Sequence, residues 1–348
     1  MDADEIQIIL LIVAQILLFL TTLQCHLENG GIPLNQRLLP GYRGSGFNGR
    51  DVFSIIAGQP WLFWRNTGET TQSFLQLVRD VSPVLQRLTR DGQPRQRLRL
   101  SRLSITNQVL LVMLWLRKHL HIECLALWFD VDPSTVTRTI YKIIPELWQY
   151  FQNQIRWPNV NEWANLMGNW PEFPNAVGSI DASPHEIYRP ITEPQRAFYS
   201  GHRHYHCMHT QLVVDNLGHL RFVQAGFPGS INDAGSFGLM TPIGPGQPLD
   251  LPVGACLLAD KGYPGRRPLM TPVRNNQMHL LNRRQRRRAR NFNRCHSSRR
   301  VKVEHVFKEI KCYKAVSSIW RHPRWLLPVC VELAAFLAER RLRLFSHI

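Results

Sequence analysis

Cysteine frameworks are missing from this chain. Its seven cysteines stand at positions 25, 124, 207, 256, 295, 312 and 330, and no two form a C-x-x-C pair. The odd number and the scatter exclude a disulfide scaffold and a cysteine-built structural zinc site, and they point to a reducing compartment. Acidic residues are also scarce. Asp and Glu total 25 against 42 Lys and Arg, a formal charge of +17 and an isoelectric point near 10.2. Such an excess suits a polyanionic partner, nucleic acid first, although charge alone does not separate DNA from RNA or an anionic membrane. No internal repeat is visible.

Long apolar runs are few as well. IQIILLIVAQILLFLTTL, residues 6 to 23, approaches the length of a membrane span. Asp2, Asp4 and Glu5 precede it where a signal peptide carries positive charge, Gln7 and Gln15 interrupt it, and no basic stop-transfer cluster follows. A buried helix is the favoured reading, a membrane anchor the alternative.

What is present in 348 residues suffices for two domains with a real core. Residues 28 to 60 read as loop or linker with short helical pieces, so residues 1–100 form a helical N-terminal region with linkers. From about 70 to 156 the period is helical, and Ser104 or Thr106 is available as an N-cap before LSITNQVLLVMLWLRKHL closes. In HIECLALWFDVDPSTVTRTIYKIIPELWQYF the spacing predicts a helix from about Ile122 to Phe129 and a break at Asp130-Val131. A second helix follows, capped by Asp132 with Pro133 in its first turn. Val136, Ile140 and Ile143 face inward, while Ser134, Thr135, Thr137, Arg138 and Lys142 are left outside. Residues 101–156 thus read as a helix-turn-helix whose Ser134, Thr135, Arg138 and Lys142 would meet DNA; an ordinary helical hairpin is the plain alternative.

Aromatic, Pro-rich WPNVNEWANLMGNWPEFP (157–174) marks a boundary, and the pattern then shifts to strands. NAVGSID is a short apolar run ending on Asp181. HCMHTQLVVD, a turn at Asn216-Leu217-Gly218, and HLRFVQAGF form a hairpin. ACLLAD is a second apolar run ending on an acid, Asp260, and helices return from about Arg299. Strands followed by helices, with acids at strand ends, imply a mixed α/β domain over 170–348 with its site at one sheet edge. Either aspartate alone could be turn punctuation. Two side by side would repel unless a cation joined them, and hard oxygen ligands suit Mg²⁺ or Mn²⁺. Glu304, beside the apolar stripe Val303, Val306, Phe307 and Ile310, is a third acid, though a surface Glu-Lys pair with Lys308 explains its spacing equally well.

Five stretches in order carry a resemblance: FPNAVGSIDASPHEI, YSGHRHYHCMHTQLVVDNLGHL, GFPGSINDAGSF, LLADKGYPGRRPLMTP and FNRCHSSRRVKVEHVFKEIK. From Phe173 to Lys311 the chain resembles the PIF/Harbinger group of DDE transposases, which includes transposase-derived nucleases. The resemblance implies an RNase H-like core, a mixed sheet flanked by helices, preceded by a helical region with the helix-turn-helix. It places Asp181, Asp260 and Glu304 on the family's catalytic, metal-binding acids. Asp233 falls on a further aspartate counted among the metal ligands in the family; a cap on the helix starting near Ala234 explains it as well. The implied activity is a metal-dependent DNA endonuclease or transposase that cuts phosphodiesters by two-metal, in-line attack, with Mg²⁺ or Mn²⁺ as cofactor and ions about 3.5–4 Å apart. Double-stranded DNA is the implied substrate. A Myb-like DNA-binding partner and a homo-oligomer belong to the same expectation, with a nuclear location that leaves the cytoplasm open and no membrane.

Two stretches carry further readings, and of these only the arginines at 283–290 stand outside the resemblance. Residues 282 to 302 carry ten Lys or Arg, so Arg286, Arg287, Arg288 and Arg300, with Lys308 beyond, are candidates for gripping phosphates; a nuclear-localisation signal or a solvated basic loop would look the same. In GHRHYHCMH, alternation would put His202, His204 and His206 on one strand face, with His209 beyond. A zinc site is the sharper reading there, and histidines lying near DNA the plainer one. The rival functions are a non-cleaving, domesticated DNA-binding protein, a zinc hydrolase built on these histidines, and a basic protein anchored by residues 6–23.

Overall fold

The computed structural model describes residues 47–87, 102–191, 193–240 and 249–345. The apolar run at 6–23 lies outside them. No helix among the described residues is long and apolar enough to cross a membrane.

Helices come first: α1 (Val52–Ile56), α2 (Pro60–Thr67), α3 (Thr71–Arg87), α4 (Ile105–Lys118), α5 (Ile122–Phe129) and α6 (Pro133–Phe151). Local chemistry sets their ends. Ser104, not Thr106, caps α4 through its Oγ, which accepts the Asn107 amide at 3.2 Å. Helix α5 stops where Asp130 takes a left-handed conformation, φ 51°, a region that Asp tolerates better than most residues. Asp132 then accepts the Ser134 amide at 2.8 Å and Pro133 opens α6, so the expected helix-turn-helix is present to the residue. Val136, Ile140 and Ile143 are buried against a core that includes Leu125, Ala126 and Phe129 of α5.

After the short α7 (Val160–Ala164) come β1 (Ala176–Glu186), α8 (Gln195–Phe198), β2 (Tyr199–Ser200), β3 (Tyr205–Asp215) and β4 (Leu220–Pro228). Then follow α9 (Asp233–Gly238), β5 (Cys256–Leu258), β6 (Leu269–Met270), α10 (Asn275–Met278), α11 (Arg283–Lys311), α12 (Lys314–Ser317) and α13 (Leu326–Phe345). The main sheet runs β4-β3-β1-β5-β6, and β2 adds a short pairing at the start of β3. Strands β1, β3 and β4 are antiparallel, whereas β5 and β6 run parallel to β1. This is a mixed sheet flanked by helices, the arrangement expected of an RNase H-like core. The predicted hairpin is β3–β4, and its turn is clamped by Asp215, whose Oδ1 accepts the amides of Leu217, Gly218 and His219.

Two expectations change. Strand β1 does not end on Asp181 but continues to Glu186, because its ladder with β3 extends from Gly178↔Asp215 to Glu186↔Cys207. Helix returns at Arg283 rather than near Arg299: Asn282 and Gln285 form a capping box, and the Arg-rich stretch is one helix with the segment that carries Glu304. The long hydrophobic core joins the N-terminal helices to α11, α12, α13 and the inner side chains of β3. The helix-turn-helix and the sheet therefore share one core, and Gly49–Ile348 pack as one unit.

Candidate active site

Sheet register brings the first two acids together. Strand β5 pairs with β1 as far as Ser179↔Leu258, so Asp181 and Asp260 each lie two residues past the last shared pair. Asp181 sits where β1 has lost its β5 neighbour while keeping β3, which opens one side of the strand to the long helix. From α11, the Arg300 guanidinium reaches Asp181 Oδ2 at 3.0 Å, and the Ala182 amide donates to Oδ1 at 3.0 Å. Burial nonetheless pushes the Asp181 carboxyl up to about 6; Arg300 opposes that shift and the charges of Asp260 and Asp233 reinforce it.

Asp260 is held by its own turn, with the Gly262 amide donating to its Oδ1 at 2.5 Å. Any side chain at position 262 would displace the two carboxylates. A Cβ would lie 2.7 Å from Asp260 Oδ1 and 2.7 Å from Asp233 Oδ2, so these two oxygens are no farther apart than twice that distance. Asp233 is the first residue of α9, whose cap is Asn232, with Oδ1 accepting the Gly235 amide at 2.8 Å. The capping explanation for Asp233 thus fails, because its neighbour does that work. Burial and then Asp260 raise the Asp233 carboxyl above its usual range.

Glu304 lies on α11 one turn after Arg300 and is exposed. With Asp181, Asp233, Asp260 and Arg300 it lines a cleft of about 1340 Å³. An adjoining cleft of about 590 Å³ shares Asp181, Arg203 and Glu304 and adds Lys308 and Lys311. The structure therefore places all four predicted acids on one wall system. It does not draw them into a ready cage: among the described residues no three His, Cys, Asp or Glu side chains are grouped closely enough to hold a metal ion. The site is still suited to one. Asp181 and Asp233 are both destabilised as anions by burial and by neighbouring carboxylates, and a hard divalent cation removes that penalty.

Sequence reasoning missed Tyr263 and Arg203, and it offered His209 only as a zinc candidate or a histidine near DNA. Tyr263 is fully buried behind the acids, and its hydroxyl is raised well above its usual value by burial and then by Asp233, Asp181 and Asp260. His209 is buried beside Asp233, 4.0 Å from Nδ1 to Oδ1, and is lowered to about 4 by desolvation. Arg203 stands where the two clefts meet. The signal for Tyr263 was the Asp-Lys-Gly-Tyr turn itself; nothing local marks His209 apart from its neighbours. His202 and His204 lie in the turn before β3, with His204 at φ 62°, so the expected shared strand face does not form.

In the helix-turn-helix, Ser134 and Arg138 are exposed, and Arg138 folds back along its helix to the Ser134 carbonyl (3.0 Å), the Ser134 hydroxyl (2.8 Å) and Thr135 Oγ1 (3.3 Å). Lys142 is different: its ammonium donates to the Leu85 carbonyl at 3.1 Å, tying α6 to α3. Of the arginine trio, Arg287 and Arg288 are exposed, while Arg286 turns back to the Leu281 carbonyl at 3.1 Å.

Residues 180–338 match the family described as DDE superfamily endonuclease, and residues 101–151 match the helix-turn-helix of DDE superfamily endonuclease. A protein of Microchaete diplosiphon described as "Probable transposase for insertion sequence element IS702" is 28% identical over 271 residues, covering 75% of this chain and 87% of that relative. No solved structure matches significantly. Residues 180–338 are thus similar to the DDE superfamily endonuclease, and residues 101–151 to the helix-turn-helix of that superfamily, in a chain similar to an IS702-type transposase.

Proposed function

We propose that this chain is a divalent-metal-dependent DNA endonuclease of the transposase type, in which Asp181, Asp260 and Glu304 carry the chemistry and Asp233 assists them. The supporting observation is that four acids from four separate segments line one cleft beside a strongly basic helix. Asp181, Asp233, Asp260 and Glu304 would hold Mg²⁺ or Mn²⁺, which when bound in a pair supplies Lewis-acid stabilisation of the attacking and leaving oxygens of an in-line displacement at phosphorus. The remaining work belongs to the side chains. Asp181, titrating at about 6, is largely ionised at neutral pH. Arg300 neutralises it in the resting cleft and lies one turn from Glu304, within the wall that an incoming phosphodiester would meet. Lys308 and Lys311 add positive charge on the adjoining wall, so the scissile strand is positioned by charge rather than by covalent capture. The helix-turn-helix would present Ser134, Thr135 and Arg138 to a DNA groove. The finer Harbinger-type placement rests on the motif order over residues 173–311, and a nuclear location, a Myb-like partner and a homo-oligomer are part of the same proposal.

Two observations favour a second reading. Arg300 already occupies Asp181, and the acids are not grouped at ligand spacing. Both are compatible with a domesticated DNA-binding protein that does not cut. A titration of Mg²⁺ and Mn²⁺ against purified protein and supercoiled plasmid separates the two readings. Nicking that requires metal and disappears in Asp181→Asn is expected; no nicking at any metal concentration favours the non-cleaving protein.

A further inference from the structure

The 29 residues of α11 span about 43 Å, and from Arg283 to Val303 they include no acidic residue. One side of the helix is anchored. Phe292 packs edge-on against Phe173 with ring centroids 5.4 Å apart, His296 Nε2 meets the Met270 carbonyl at 3.0 Å, and Asn293 exchanges two 2.9 Å hydrogen bonds with the Val273 backbone. At 100° per residue, Arg283, Arg287, Arg290 and Arg294 fall on the other side within a sector of about 60°, each roughly one turn from the next. All four are exposed. Arg284 and Arg288 lie on the flank of that row, Arg286 is turned back to Leu281, and Arg299 is bridged to Glu172 at 2.8 Å.

We infer that this row is a rigid phosphate-binding ridge that holds duplex DNA flanking the acid cleft on one side. A row of exposed arginines along one face of an anchored helix, of which Arg294 also donates to Asn291 Oδ1 at 2.8 Å, suits a stiff polyanion with regularly spaced charges. The same helix continues to Arg300 and Glu304, so grip and cleft cannot move independently. Arg283 is about 32 Å from Glu304 along the helix axis, the rise of roughly nine base pairs. The ridge therefore sets how much duplex on one side of the cleft is contacted. Duplex DNA as the ligand rests on the endonuclease reading; the ridge itself rests on helical register and exposure.

The test is DNA binding rather than cleavage, with the full chain carrying Asp181→Asn so that substrate is not consumed. Fluorescence anisotropy on a random-sequence duplex over about 50–200 mM salt gives the slope of log affinity against log salt. Replacing Arg283, Arg287, Arg290 and Arg294 by Gln should reduce that slope by up to about 3.6, at about 0.9 per lost phosphate contact. The pair Arg287→Gln and Arg294→Gln should give about half that change, and Arg284→Gln with Arg288→Gln clearly less. An unchanged slope in the quadruple variant overturns the ridge. So does an equal effect from the flanking pair, which would mean diffuse charge, or a loss of binding to phosphatidylserine vesicles with duplex binding intact. Plasmid nicking by the chain with Asp181 restored is scored separately, so an inactive protein whose slope falls as expected refutes the nuclease and keeps the ridge.

Discussion

The helix-turn-helix and the acid cleft are built in opposite ways. The first is contained in about thirty consecutive residues, and each of its boundaries has a local cause: a left-handed Asp130, the Asp132 cap, Pro133 at the first turn and an inward stripe of Val136, Ile140 and Ile143. The second draws on residues 181, 233, 260 and 304, and no local signal fixes their separation. The contrast is also electrostatic. At the cleft, burial raises Asp181 to about 6, whereas beside the helix-turn-helix burial lowers His119 to about 4 with His322 adding to the shift. One region has locally set helix ends and an apolar stripe that enters the shared core; the other gives up stability by holding carboxylates in a desolvated cleft, as functional sites do.

The sharpest way to break this contrast is at the cleft. Asp260→Asn should lower metal-dependent nicking more than about 100-fold, since loss of a group that merely orients a metal ligand already costs about 10–100-fold. Duplex affinity and the thermal midpoint should stay nearly unchanged. A cleft residue whose loss unfolds the protein would mean that the acids are structural. The converse test is Ile143→Ala, at a fully buried position of α6. It should cost about 2–5 kcal/mol in denaturant unfolding, because it opens a cavity in the core shared by helices and sheet. Removing the cap by Asp132→Ala should cost about 1 kcal/mol, and a helix end that ignores this change would show that tertiary packing sets it.

A smaller effect concerns pH. His119 is depressed when folded, so the unfolded chain binds the extra proton between pH 6.5 and about 4; stability is present above 6.5 and is lost as pH falls through that window. Asp181 has the reverse sign. Its folded value exceeds its unfolded one, so stability falls as pH rises from 3.8 to about 6. Urea melts of wild type, His119→Gln and Asp181→Asn across pH 4–7 should show a shallower acid loss in the first variant and a steeper one in the second. Equal slopes in all three would remove the electrostatic side of the contrast.

Much of the fold was legible because its signals are short-ranged. Caps, the 130–132 break and the β3–β4 hairpin followed from period and turn residues, and the mixed sheet from the resemblance. The misses have long-range causes. β1 outruns Asp181 because β3, about thirty residues downstream, keeps pairing with it. Lys142, outward by helical period, is claimed by α3. Arg300 was read as a phosphate contact and instead meets Asp181 at 3.0 Å, a pairing visible only once α11 lies across β1.

The amino-acid order alone determined where the helix-turn-helix begins and breaks, where the β3–β4 hairpin turns, and that acids follow two apolar runs, because these depend on dihedral preference and on side-chain period over a few residues. Only the tertiary structure decided that Asp181, Asp233, Asp260 and Glu304 share a cleft, that an arginine already stands among them, and which arginines of a dense run form one row. Those outcomes depend on strand register and helix azimuth, where a shift of a single residue turns a side chain to the opposite face of a strand or by 100° around a helix.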